Sequence, residues 1–296
     1  MKSLKQLLKA LPSLYSSDSP VEKSKPKIIG LCLSGGGALG YAHIGVLQAL
    51  EDCGIYPDVI SGASMGAVIG SVYAAGKTPQ EMLQLIQSGK LYRITSLMHF
   101  PVAFWKTSGL SNHQPLQKLI KDNCMENSFE KLQKPMYVCV SNLTDGKWEV
   151  MHSGENLDEW VAASSSIPGV FTPVKIDEKI YVDGGLLNNM PAQPLKEKCD
   201  VIIGCDLFPP SSVRKGVKMR NIFVSSIRTA QTQNSQVGRA LCDYLIEPKA
   251  VEKYHEFSFE AYQQIYQLGY SAATKFVMDN QDILKLRRRK EEGILE

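Results

Sequence analysis

Residues 62–66, GASMG, set a serine between two glycines in the pattern G-x-S-x-G. That pattern belongs to a sharp strand-to-helix turn that presents a serine hydroxyl as a nucleophile. Gly62 and Gly66 would relieve crowding around the strained residue, Ser64. A second glycine stretch, SGGGALG at 34–40, also joins an apolar run to a helical one. Backbone N–H groups in such a loop, at a helix N-terminus, can hold an anion or a developing oxyanion. Each loop alone is also compatible with a plain tight turn. Together, on consecutive strands, they can bring a nucleophile and oxyanion donors side by side.

The first loop has a competing reading. Gly35, Gly37 and Gly40 satisfy G-x-G-x-x-G, the dinucleotide fingerprint. That fingerprint also needs an acid at the end of the second strand to hold a ribose. Here the strand ends in SGAS, and the nearby acid, Asp58, precedes it. A phosphate-binding P-loop is excluded, because no Lys-Ser/Thr follows the glycines.

A serine nucleophile needs a base. The five histidines are His43, His99, His113, His152 and His255. None lies in a strand-end loop like those of the two glycine motifs, and His43, inside a helical stretch, reads as packed. Asp183 in YVDGGLLNN is the better candidate, since a carboxylate between a strand end and a glycine pair is open to a neighbouring hydroxyl. Asp145-Gly146 in TDGK reads only as a hairpin turn. A free carboxylate with pKa near 3.9 is a weak base for serine. A dry pocket would raise it toward the working pH. Ser164–Ser166 reads as a helix end facing the site.

The elements needed to carry these residues follow from hydrophobic patterning. KIIGLCLS, DVIS and DVIIGCDL are short apolar runs of the kind that form buried parallel strands. Helices are expected over ALGYAHIGVLQALEDC and MGAVIGSVYAAG, each closed by glycine. TPQEMLQLIQS opens with a capping box at Thr78 and Glu81, and NLDEWVAASSS has the same spacing at Asn156 and Glu159. Further helices are expected over QPLQKLIKDN and from about NSFEKL. MYVCVSNL and WEVMHS form one hairpin, and VFTPVKIDEKIYVDGG contains another around Asp177-Glu178. The rest is helical apart from YLIEP at 244–248. Strands alternating with helices predict an α/β fold with a mostly parallel sheet covered on both faces, its sites beyond the strand carboxyl ends.

The bulk composition sets wider limits. The 296 residues are 44% hydrophobic, ample for a sizeable core, and the net charge of +3 is too small to suggest nucleic acid as a partner. No stretch reaches the roughly 18 apolar residues of a membrane span. Seven cysteines without a CxxC pair read as reduced, packed thiols in a cytoplasmic protein, so no metal centre and no cofactor is expected. Residues 1–15 read as a short basic amphipathic helix, either docked on the main domain or in peripheral contact with an anionic membrane. Residues 16–26 read as a linker, which gives an N-terminal segment 1–26 and a main domain 27–296. Within the latter, the core motifs span 27–210 and 211–296 is helical. The aromatic stretch 97–105 reads as either core or a mobile lid.

Taken together, SGGGALG, GASMG and DGG, with AASSSIPGVFTPV leading into YVDGGLLNNMP, resemble the signature blocks of the bacterial branch of the patatin-like phospholipases. The resemblance covers about residues 27–210. It implies a three-layer α/β/α fold and a Ser-Asp dyad without histidine, with Ser64 as nucleophile and Asp183 as base. It further implies an oxyanion hole from the backbone amides of Gly36, Gly37 and Ala38, with Gly184 and Gly185 completing the acid motif. Leu39 stands where many members carry Arg or Lys, so no preference for anionic headgroups is implied. The expected activity is hydrolysis of lipid or other acyl esters. A transacylase using the same acyl-enzyme and a non-catalytic lipid-binding or regulatory module are the alternatives.

Overall fold

The structure, a computed structural model, describes residues 25–87, 113–208 and 219–287. The amphipathic segment 1–15, most of the linker, His99, the aromatic stretch 97–105 and the end of the charged tail lie outside the described residues. The first described elements are β1 (Ile29–Leu33), a 3₁₀ turn (Gly37–Gly40) and α1 (Tyr41–Asp52), then β2 (Val59–Ala63), α2 (Met65–Ala74) and α3 (Pro79–Gln87). After α4 (Gln114–Asn123) come β3 (Met136–Asn142), β4 (Lys147–Met151) and α5 (Leu157–Ser164). β5 (Val174–Ile176), β6 (Lys179–Asp183), β7 (Val201–Cys205), α6 (Met219–Ala240), β8 (Tyr244–Ile246) and α7 (Tyr262–Asp279) complete it.

One eight-stranded sheet runs in the order β5-β6-β3-β2-β1-β7-β8, with β4 also on β3. Strands β3, β2, β1, β7 and β8 are parallel; β4 and β6 pair antiparallel with β3, and β5 with β6. β1 is central and buried along its whole length, which is why it reads as a continuous apolar run. Leu31 and Leu33 face the larger cluster with α1, whereas Cys32 faces a smaller one with Met190, Leu195 and Ile202. Each fully buried Leu or Ile contributes roughly 1.5–3 kcal/mol relative to exposure. All seven cysteines are unpaired thiols. Among the described residues, no helix is long and apolar enough to cross a membrane.

The registers around β3 decide where the site lies. Cys139 pairs with both Ala63 of β2 and Val150 of β4, and Val140 pairs with both Asp183 of β6 and Glu149 of β4. A residue has one partner on each side. β4 therefore holds one edge of β3, while β2 and β6 share the other. β2 climbs to Cys139 and β6 descends to Val140, so their carboxyl ends meet head to head.

Two local expectations fail. The helix expected from 127–132 does not form. Glu126 and Asn127 take positive φ (54° and 51°), and the segment is tied to the loop before α5 by Phe129 N donating to Gly154 O at 3.1 Å. Glu130 also leaves any helical role, accepting from Gly154 N through its side chain. The Asn156 box is absent as well. Asn156 is left-handed (φ 62°), and its side chain makes no cap. Asn127 caps α5 from across the loop, its Oδ1 accepting from Asp158 N at 2.9 Å. By contrast, the Thr78–Glu81 box forms in both directions, Thr78 N donating to Glu81 Oε2 at 2.8 Å and Glu81 N to Thr78 Oγ1 at 3.2 Å.

The C-terminal part is joined to the β1–α1 region by the crossing of α7 over α1. Here two glycines let backbones touch. A Cβ on Gly45 would lie 2.6 Å from Tyr270 N, and one on Gly269 would lie 2.7 Å from Ala42 C. Gly269→Ala should therefore force the helices apart, at about 1–3 kcal/mol. The expected fall in Tm is roughly 2–12 °C for a chain of this size, read by thermal denaturation.

Candidate active site

Ser64 stands at the N-cap of α2 with φ 53° and ψ −126°. This left-handed backbone is strained for a residue with a Cβ, and the surroundings must hold it there. The flanking glycines are sterically required: a Cβ on Gly62 would lie 2.8 Å from Ala67 N, and one on Gly66 would lie 2.6 Å from Ser34 O. The Ser64 amide donates to Ser164 Oγ at 2.9 Å, and that hydroxyl donates onward to Cys139 O at 2.6 Å.

Ser64 Oγ donates to Asp183 Oδ2 at 2.5 Å. The other carboxylate oxygen accepts from Gly185 N at 2.8 Å, closing a tight turn after β6. Gly184 passes directly over β3, where a Cβ would press on the backbone of Cys139. Asp183 is only 2% exposed. Burial pushes its carboxyl up to about 7, against the lowering effects of the Ser64 hydroxyl and the Gly185 amide. Desolvation outweighs both of those hydrogen bonds.

The glycine loop lies beside the serine. A Cβ on Gly35 would lie 3.0 Å from Ser64 Cβ. Gly37 has φ 54°, open to glycine at little cost. Gly36 and Gly37 lead into the 3₁₀ turn and α1, as an anion-binding loop should. Ala38 departs from expectation. Its amide donates to Glu256 O at 2.8 Å, because the turn at 255–258 lies against the loop. The Gly35 amide is also engaged, donating to Asn189 Oδ1 at 3.1 Å. Leu39 is wholly buried and presents nothing to a ligand.

Three of the described histidines are held by other partners. His43 is wholly buried beneath the loop. Its Nε2 lies 2.8 Å from Ser34 O, which can only accept, so Nδ1 takes the Cys205 thiol at 3.2 Å. Burial lowers its pKa to about 4, leaving it a neutral brace at pH 7. His113 bonds Thr172 O at 2.7 Å and stacks on Phe171; His152 packs on Tyr137.

Asn189 gained a place that sequence reasoning had not assigned, and Ser164 gained a partner it had not foreseen. Asn189 ties the glycine loop to the acid loop. Its own amide donates to Asn234 Oδ1 at 2.8 Å, and Asn234 Nδ2 donates to Gly185 O at 3.0 Å. Its only signal was its position in LLNNMP, after the glycine pair. Ser164 was legible as a helix end near the site, but its bond to Ser64 spans 100 residues of sequence. Among the described residues there is no cluster of three His, Cys, Asp or Glu side chains able to hold a metal.

A family model described as patatin-like phospholipase matches residues 31–196, more than half of the chain. The lysophospholipase NTE1 of Cryptococcus neoformans is 28% identical over 306 residues, covering 90% of this chain and 18% of that protein. The lysophospholipase NTE1 of Kluyveromyces lactis is 25% identical over 316 residues, with coverages of 92% and 21%. An NTE family protein of Mycobacterium bovis is 34% identical over 172 residues, covering 58% of this chain and 46% of that one. The chain thus spans about a fifth of the length of the fungal relatives. Among solved structures, human GIVD cytosolic phospholipase A2 aligns with a TM-score of 0.45 and 12% identity, covering 96% of this chain and 63% of that one.

The buried carboxyl has a consequence for stability. Its folded pKa of about 7 lies above the unfolded value near 3.9. Between those values the folded state keeps a proton that the unfolded state has lost, so this group's contribution falls as pH rises through the window. Asp183→Asn should melt above the wild type at pH 8, and the gap should narrow toward pH 5, as read by thermal scans across pH.

Proposed function

We propose, for a chain that belongs to the patatin-like phospholipase family, that it hydrolyses fatty-acyl esters of lipids through a Ser64–Asp183 dyad. The observation that carries this reading is the 2.5 Å bond from Ser64 Oγ to a buried carboxyl whose pKa lies near 7. A base should have a pKa near the working pH, and burial supplies that here without a histidine. Relatives named lysophospholipase support a lipid ester as the substrate class.

In the proposed reaction, ionised Asp183 accepts the proton of Ser64 as Oγ attacks the ester carbonyl. The amides of Gly36 and Gly37 stabilise the tetrahedral oxyanion. Each such donor is worth roughly 3–4 kcal/mol where its removal has been measured in other enzymes. The alcohol or lysolipid leaves with the proton from Asp183. Asp183 then takes a proton from water as the water oxygen attacks the acyl-enzyme, and returns it to Ser64 Oγ as that ester bond breaks and the fatty acid leaves. Ala38 would join the oxyanion hole only if its bond to Glu256 O opened, so the reading relies on two amides.

Long-chain nitrophenyl esters and lysophospholipids should be turned over by the wild type and not by Ser64→Ala or Asp183→Asn, each first shown to be folded. The expected loss is at least about 1000-fold, typical for removing the nucleophile or base of such a unit. EDTA should have no effect. The rate at limiting substrate should rise with pH through about 7 as Asp183 ionises. Undiminished turnover in Ser64→Ala would overturn the reading. With added alcohols, fatty acid should remain the main product.

A further inference from the structure

We propose that Ser164 is a positioning residue for the nucleophile, its hydroxyl splicing the gap in the β-ladder between the end of β2 and the end of β6. The proposal rests on the reading of Ser64 as nucleophile. β2 pairs with β3 up to Ala63 opposite Cys139, and β6 takes over at Asp183 opposite Val140. At that junction the chain turns out of the sheet at Ser64. The Ser64 amide leaves the ladder while still buried, and a buried N–H without a partner is costly. The Cys139 carbonyl faces the same gap. One hydroxyl serves both: Ser164 Oγ accepts from Ser64 N at 2.9 Å and donates to Cys139 O at 2.6 Å. Ser164 is wholly buried.

The same helix end holds the other reactive residue. Asp183 N donates to Ser166 O at 3.0 Å, and Ser166 is anchored by its own Oγ donating to Ala162 O at 2.7 Å. The backbone amides of both Ser64 and Asp183 thus terminate at the C-terminal end of α5, on Ser164 and on Ser166 two residues past it. The distance between Oγ and the carboxylate is set by that turn as well as by the sheet. A hydroxyl is required because the relay needs an acceptor and a donor on one atom. Alanine supplies neither, and a thiol is weak at both.

The test uses the full chain as wild type, Ser64→Ala, Ser164→Ala, Ser164→Cys and Ser164→Thr. Active sites are titrated to completion with a fluorophosphonate, so that only folded molecules are counted, and kcat and KM are measured on a long-chain nitrophenyl ester. Ser164→Ala and Ser164→Cys should lose about 10- to 100-fold in kcat per titrated site, the scale of a misplacement near 1 Å. KM should stay within about twofold, since substrate contacts are untouched, and the pH midpoint should not move. Ser164→Thr, which keeps the hydroxyl, should recover most of the rate. Unchanged kcat per site in the Ala and Cys variants, with only Tm lowered, would reduce Ser164 to packing and overturn the proposal. If Ser164→Ala does not fold, the Cys and Thr pair decides: a slow Cys and fast Thr support the relay, and equal rates overturn it. An inactive Ser64→Ala beside fully active Ser164 variants sinks only the positioning role, whereas an active Ser64→Ala sinks the nucleophile itself.

Discussion

The head-to-head meeting of β2 and β6 on one edge of β3 is the constraint on which the rest of the site depends. β3 is long enough to carry a parallel neighbour along its first half and an antiparallel one along its second. Two chain ends that approach each other in a sheet leave a gap in the hydrogen-bond ladder. This protein fills the gap with Ser64, Asp183 and the Ser164 hydroxyl. The cost of unpaired backbone at such a gap is avoided only if side chains complete the bonding, as Ser164 Oγ does for Ser64 N and Asp183 Oδ1 does for Gly185 N.

The same packing explains the electrostatics. Asp183 is packed in by β3, the glycine pair and α6, and desolvation is the largest influence on its carboxyl. Its desolvation favours the protonated form and makes the carboxyl receptive near neutral pH. His43 shows the same effect in the opposite direction: burial keeps it neutral, so it braces the glycine loop instead of titrating. Burial therefore turns a carboxylate into a candidate base and removes a histidine from the role.

The C-terminal part is bound to α1 and the glycine loop at several levels. α7 lies against α1 through Gly45 and Gly269, and the turn at Glu256 reaches the glycine loop. The Glu256 carboxylate meets Arg228 of α6 at 3.4 Å, and Arg228 lies over Phe208 with its guanidinium carbon 4.7 Å from the ring centre. A buried pairing of Asp206 with Arg239, extended to Glu247 at 2.7 Å, closes the sheet beyond β7. The glycine loop is thus shaped by residues more than 200 positions downstream, as the engaged Ala38 amide shows.

The sequence by itself determined most of the elements and the candidate site residues. Strands buried on both faces must be continuously apolar, so β1, β2 and β7 were visible as runs. Glycine-flanked Ser64 and the glycine loop were visible because a Cβ cannot occupy those positions. The Thr78 capping box was legible because all its partners lie within four residues. Only the tertiary structure decided what depends on distant partners. Asn127 capped α5 in place of Asn156, Gly154 drew 127–132 out of a helix, and Glu256 took the Ala38 amide. The pairing of Ser64 with Asp183 across 119 residues follows from β6 running antiparallel onto β3. Register is set by how whole faces pack, and no local spacing encodes it. The raised carboxyl pKa is likewise a property of the closed pocket, since desolvation has no counterpart in an extended chain.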